Sequence, residues 1–314
     1  MRVSSKVTAP FKQTAVSDYL AARFTYRTLA EWQALVAEGR VFCNDALCLP
    51  TTLVRQGDVV ACELPDFTPP GVNFAYRILY EDAWLLGVDK PAGLRVHSQG
   101  KFVTANLIYQ LRYVHQPPYP EAHLVNRLDA QTSGVVVLAR ETAVLRAMSQ
   151  LFATGEVEKV YLAVVDGAPR PPAGVIDQPI GQTTGPLGVK RFGVMDGGKT
   201  AVTHYQVRHT FGDAALVELR PQTGRTHQLR VHLAAIGHPI IGDALYRMDD
   251  AAYLDWVERG VHAGQMARLA RQALHCAATR FTHPVTGLPT TFTAPLPADI
   301  AALLDGHDLY PTRQ

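Results

Sequence analysis

From residue 74 onward, short apolar runs alternate with polar breaks, the two-residue rhythm of strands separated by turns. "AYRILYEDAWLLGVDKPAG" predicts a strand, an acidic turn and a second strand ending at Lys90-Pro91. "GVVVLAR", "KVYLAVVDG", "TAVTHYQVRHT" and "AALVELRP" predict further strands. "ETAVLRAMSQLFATGE" has a helical period, with Glu141 in the first turn, where the helix dipole favours an acid. Strands interleaved with a few helices in mixed order predict an α+β domain over residues 74–314. Its sheet should be large, mixed and mostly antiparallel, flanked by helices. Before it, "AVSDYLAARFTYRTLAEWQALVAEGRVFCND" predicts two short amphipathic helices and a strand, with Leu29, Trp32, Leu35 and Val36 on one stripe and Gly39 ending the second helix. "VRQGDVVACELP" adds a strand after a Gly-Asp turn, and the Pro-rich "PDFTPPG" reads as a linker. Residues 1–68 are therefore expected to form a small separate α/β unit.

Composition narrows the class. A chain of 314 residues with 47% hydrophobic and 18% charged residues buries a large core and excludes disorder. No apolar run is long enough for a membrane helix, and "MRVSSKVTAPFKQ" has no secretory signal, so a cytoplasmic protein is expected. Cys43, Cys48, Cys62 and Cys276 form no Cys-x-x-Cys pair and read as thiols, so no metal site is expected. There is no phosphate loop and no Gly-x-Gly-x-x-Gly, so no nucleotide cofactor is expected either. The net charge of +2 decides nothing about nucleic acid. Basic clusters stand at Lys190-Arg191 and around Arg220, Arg225 and Arg230, and by charge alone an ordinary solvated surface is the favoured reading.

Three polar residues stand out against this background. Asp129, in "HLVNRLDAQTSG", sits on a loop whose Thr132, Ser133 and Gly134 are explained by turn geometry, which does not require the aspartate. A turn aspartate bonding backbone amides is the plain alternative. In "QTGRTHQLRVHLAAIGHPIIGD" a helix is expected from about 225 to 236. Arg225, Leu229, Leu233 and Ile236 then share one face. A guanidinium opening an apolar stripe needs a carboxylate partner, and Asp129 is the candidate. His232, near that face, reads as a hydrogen-bonded core histidine. Tyr161 shares a strand face with Ala163 and Val165 and is either a core aromatic or a phenol aimed into a cleft.

Taken together, "NRLDAQTSG", "DKPAGLRVH" upstream, "EKVYLAVVDG", "TGRTHQLRVHLAAIGHPIIGD" and "LHCAATRFTHPVTG" with "FTAPLP" resemble the pseudouridine synthases of the large-subunit-rRNA and tRNA branch over nearly all of residues 75–297. Residues 15–65, especially "EGRVFCND" and "VRQGD", resemble more loosely the S4-type RNA-binding module often attached to them. The resemblance implies an isomerase that cuts the C1′–N1 bond of an RNA uridine, rotates the base and rejoins it through C5, with no cofactor. It assigns Asp129 as the essential carboxylate, whether as nucleophile or in glycal formation. Arg225 would be its cationic partner, and Tyr161 the aromatic that packs on uracil and takes a proton. Arg127 would fill the place of the flipped base or hold a phosphate, and Thr132 and Leu229 complete the expected substrate-binding set. The implied partner is RNA, ribosomal more than transfer RNA with both left open, and a monomer is the default expectation.

Some features depart from the family. Asn126 stands where histidine is usual and Ala130 where a basic residue is usual, which points to altered substrate choice. The segment 246–275 is longer than usual and reads as one or two added helices. The N-terminal unit has no excess of basic residues, unlike modules that grip phosphates. Two other readings remain open: a catalytically silent RNA-binding protein, and a glycosidase that releases the base, which would call for a second acid.

Overall fold

The computed structural model describes residues 2–8, 11, 13–24, 26–64, 68, 70–259 and 268–304. It divides into two units. The first runs to Gly71 and includes His97–Gln110; the second comprises Val72–Val96 and the chain from Leu111. The division falls in the Pro-rich segment read as a linker, whereas the grouping of 97–110 with the first unit had no signature in the sequence.

In the first unit, β1 (Arg2–Lys6), β2 (Val41–Cys43), β3 (Ala46–Leu47) and β4 (Val59–Glu63) form a sheet in the order β1-β4-β2-β3. Helices α1 (Val16–Arg23) and α2 (Leu29–Ala37) pack together. Thr28 and Glu31 bond each other's backbone amides at the start of α2, a capping box. Trp32, Leu35 and Val36 enter the core as the helical stripe requires. Leu29, at the first turn, stays 42% exposed.

The second unit is built on a ten-stranded sheet. Its strands are β5 (Arg77–Glu81), β6 (Leu85–Lys90), β7 (Ser133–Ala139), β8 (Glu158–Asp166), β9 (Ala173–Asp177), β10 (Val202–Phe211), β11 (Ala214–Pro221), β12 (Leu274–Thr282) and β13 (Pro289–Thr293), with the short strand His123–Leu124. The path is β9-β10-β11-β8-β12-β7-β6-β5, with β13 paired to β12 and His123–Leu124 to β7. Helices α3 (Thr142–Thr154), α4 (Gln228–Ala235), α5 (Asp250–Arg259) and α6 (Ala298–Leu304) accompany it. The fold is α+β with a mixed, mostly antiparallel sheet. Glu141 is the N-cap residue of α3, one position before the helix, so it lies outside the first turn. In the added segment α5 is helical, while the expected continuation at 260–267 lies outside the described residues.

The parallel pair in this sheet is β7 with β12, in the register Ser133↔His275 and Gly134↔Cys276. All seven residues of β7 are buried, as a strand covered on both faces demands. The close approach rests on Gly134. Its φ is +109°, and a Cβ there would lie 2.1 Å from the Cys276 carbonyl oxygen. Gly134→Ala should therefore cost more than about 2 kcal/mol of unfolding free energy, through steric clash and backbone strain together. Denaturant unfolding would show it; an unchanged midpoint would mean the junction relaxes freely.

Candidate active site

The loop from Asn126 to Ser133 is tied to the sheet at both ends. At its start, the Asn126 carboxamide oxygen accepts from Val137 N–H at 2.7 Å, so this side chain is committed to the edge of β7. At its end, Gln272 Nε2 donates to Thr132 Oγ1 at 2.5 Å, and Ser133 Oγ meets His275 Nδ1 at 3.0 Å. His275 Nε2 faces the Ala294 carbonyl, which can only accept, so Nδ1 takes the serine proton. The "TSG" triplet is thus the splice between the loop and β12 as well as a turn. Lys90, fully buried, holds the middle, its Nζ donating to the carbonyls of Pro91, Leu94 and Ala130 at 2.8, 2.8 and 3.1 Å. Burial pushes its ammonium down to about 7, against the attraction of Asp129 and Asp89. Ala130 contributes through its backbone, whatever its side chain. Behind the loop, Lys90, Gln131, Ser133 and Arg271 help line a cavity of about 820 Å³, which Asp129 does not line.

The loop delivers Asp129 to an arginine, and that arginine is Arg230. Arg230 Nη1 donates to Asp129 Oδ2 at 2.8 Å, and Nε and Nη2 donate to the two oxygens of Asp243 at 2.6 and 2.8 Å. Tyr246 lies with its ring centroid 5.0 Å from the guanidinium carbon. The expected pair of Arg225 with Asp129 is not formed. Arg225 is exposed and its Nε donates to the Thr200 carbonyl at 2.9 Å. The reason is the helix start. α4 begins at Gln228, so Arg225 sits in the preceding loop and takes no place on the helical face. The buried Gln228 carboxamide organises that loop. Its oxygen accepts from Thr223 Oγ1 and Arg225 N–H, and its nitrogen donates to Val202 O and Thr203 Oγ1.

Asp243 arrives from the run after α4. Ile240 bridges Val165 of β8, and Ile241 N–H donates to the Val164 carbonyl at 2.9 Å. Gly242 lets the chain pass Arg271, whose carbonyl oxygen would meet a Cβ there at 1.9 Å. Burial alone raises the pKa of Asp129. The charges of His227 and Arg230 and bonds from Arg230 and Gln272 overcome it and hold the carboxyl below its usual range. His227 is itself pushed down by burial and by Arg230, so near neutral pH the fixed cation beside Asp129 is Arg230. Burial also opposes charge on Arg230, and its two aspartates overcome that, raising its pKa.

Tyr161 follows an irregularity in the β8–β12 register between Val160 and Tyr161, a device that re-aims a side chain. It is partly buried against the core that includes Leu229 and Leu233. Burial first, then Cys276 and Asp129, push its phenol well above 10.0, so it is protonated at rest. Leu229 is 6% exposed in that same core. Thr132 is 2% exposed and bonded to Gln272, which gives it an anchoring place. Arg127 is exposed, and its guanidinium makes no hydrogen bond or ion pair with the described residues. His232 is fully buried between Thr203 Oγ1 and the Gln178 carbonyl, as read from the sequence. Among the described residues no cluster of three His, Cys, Asp or Glu side chains is placed to hold a metal ion.

Sequence reasoning missed Arg230, Asp243, His227, Tyr246 and Gln272. A helix start at Gln228 would have brought Arg230 forward, and the Gly-Asp turn closing "HPIIGD" was the signal for Asp243. The structure gives a direct contrast. Arg230→Ala, which strands two carboxylates, is expected to cost about 3–5 kcal/mol of stability. Arg225→Ala should stay within about 0.5 kcal/mol. Equal losses in chemical unfolding would contradict the assignment of the pair.

A family model described as RNA pseudouridylate synthase matches residues 85–235. The ribosomal large subunit pseudouridine synthase D of Xylella fastidiosa is 36% identical over 93% of this chain and 91% of its own length. That of Pseudomonas aeruginosa is 34% identical over 88% and 85%. Among solved structures, human RNA pseudouridylate synthase domain containing 4 superposes with a TM-score of 0.55 at 29% identity, covering 72% of this chain and 91% of that one. The helix that supplies Arg230, the loop that supplies Asp129 and the sheet that joins them all lie in or beside the matched region, and the chain belongs to the RNA pseudouridylate synthase family, isomerases that convert uridine to pseudouridine in RNA.

Proposed function

We propose that the chain isomerises uridines of large-subunit ribosomal RNA, with Asp129 as the reacting carboxylate. The relatives named for that activity span nearly the whole chain, which favours ribosomal over transfer RNA. The observation that carries the role of Asp129 is its environment. It is a carboxylate with a side chain 30% exposed, held ionised by a buried guanidinium and carried on a loop fixed at both ends. An ionised carboxylate at that position suits either attack on the ribose or removal of a sugar proton. A general acid would need the opposite shift. Arg230 takes the role that the sequence gave to Arg225. Tyr161, protonated at rest, contributes first as a surface against the uracil ring. Arg127, exposed two residues before Asp129, is suited to the RNA strand from which the base is drawn. The N-terminal unit, two packed helices on a short sheet, serves as an S4-type RNA-binding element, and the enzyme works as a monomer.

A base-releasing glycosidase would need a second carboxylate free to act as acid or to activate water. Folding does bring Asp243 near, but both its oxygens are bound to Arg230 and its side chain is 2% exposed. Purified protein incubated with rRNA and tRNA from a strain lacking the gene should create new pseudouridines in large-subunit rRNA, mapped by carbodiimide-modification sequencing. Asp129→Asn should create none. Free uracil among the products would indicate the glycosidase instead, and no new site with wild-type protein that binds RNA would indicate a silent binder.

A further inference from the structure

His227 precedes α4 in the left-handed backbone region, with φ 58° and ψ 16°. The other described non-glycine residues with positive φ are Gln13, Asn44 and Asp45, and asparagine and aspartate tolerate that region best. Histidine also enters that region more often than most residues, but here its side chain makes no capping bond to the helix. A strained backbone kept at one residue points to a use for its side chain.

That side chain is enclosed and aimed. Its ring meets Phe192 edge-on at 5.8 Å and Tyr246 edge-on at 5.8 Å. Nδ1 lies 3.0 Å from the Tyr246 hydroxyl, and Nε2 lies 3.8 Å from Asp129 Oδ2, the oxygen already bound by Arg230. The charged and titratable groups around the imidazole are Asp129, Arg230, Asp243 and Tyr246. Burial keeps the Tyr246 phenol protonated, so it donates to Nδ1. The one proton of the neutral imidazole is then on Nε2, facing the carboxylate. At 3.8 Å this is short of a hydrogen bond, the loose geometry that catalytic contacts often have before substrate closes the site.

We propose that His227 is a positioning residue that, together with Arg230, engages Oδ2 of Asp129 and thereby presents Oδ1 to the ribose of the target uridine. The proposal rests on the reading of Asp129 as the reacting carboxylate. Two donors on one oxygen fix the rotation of the carboxylate and polarise it unequally. The Arg230 bond and the His227 approach both fall on Oδ2. Gln272 also hydrogen-bonds the carboxylate, and Lys90, Tyr161 and Tyr246 interact with it electrostatically.

The backbone strain makes the test clean. His227→Gly accepts the positive φ without cost, so a purely conformational role predicts a variant at least as active as wild type. The proposal predicts that single-turnover kcat on large-subunit rRNA falls about tenfold with KM within about twofold. It also predicts that the acid limb of the kcat–pH profile moves to higher pH, because Asp129 has lost a group that lowers its pKa. His227→Gln, whose amide can reach the same oxygen, should recover part of kcat. If His227→Gly does not fold, His227→Asn tolerates the same backbone, is too short to reach Asp129 and carries the same prediction. Unchanged kcat and acid limb in these variants, with Asp129→Asn inactive, overturn the role of His227 alone. An active Asp129→Asn overturns the reading of Asp129 and this proposal with it.

Discussion

One guanidinium shared between two carboxylates organises the second unit. Arg230 is 10% exposed, and burying an unpaired charge to that degree would cost several kcal/mol. Asp243 settles the matter with a bidentate contact from the run after α4, which locks the plane of the guanidinium. The remaining Nη1 is thereby aimed at Asp129. The two aspartates are not equivalent. Asp243 is 2% exposed and structural, whereas Asp129 is 30% exposed. With one arginine for two acids, the cluster keeps a net negative charge, and it is carried where a substrate can reach it.

This arrangement holds only if three distant parts of the chain meet in register, and the parallel β7–β12 contact brings them together. Thr132, Ser133 and Gly134 bind Gln272, His275 and Cys276 in succession, two through side chains and one through close backbone approach. On its other side β12 pairs antiparallel with β8, which places Cys276 beside Tyr161. Lys90 closes the loop from the other direction through the Ala130 carbonyl. Asp129 is therefore carried on a segment with the precision of the sheet, although it is formally a loop residue.

Strands β5 to β8, β10 and β11 were legible in the sequence because each carries its own apolar run, from "ILYE" to "LVEL", whereas β9, β12 and β13 were not read as strands. Asp129 was legible because no turn requires it. The partner was not, because the helical face was counted from Arg225, and the Gln228 side chain that closes the preceding loop is an interaction no local pattern reveals. Two kinds of residue escaped altogether. Lys90 and Gln272 look like ordinary polar residues at strand ends, and only tertiary contacts give them roles. His227 is in a backbone conformation that sequence assigns by default to glycine or asparagine. The grouping of 97–110 with the first unit is likewise non-local, and no composition change marks it.

The two departures from the family loop take on a different meaning in this setting. Read from sequence, Asn126 and Ala130 remove positive charge that would face RNA. In the fold, the Asn126 carboxamide spans the Val137 amide and, at 3.5 Å, the Val135 carbonyl, as a backbone peptide group would. An imidazole at that position could offer one donor and one acceptor as well, but with fixed ring geometry and a titratable proton. Ala130 contributes a carbonyl that any residue supplies. The loop thus keeps its anchoring while losing charge beside Asp129, and Arg127 is left as its exposed cation between Asn126 and Thr132. The carboxylate two residues away is held ionised by His227 and by Arg230, the latter only 10% exposed.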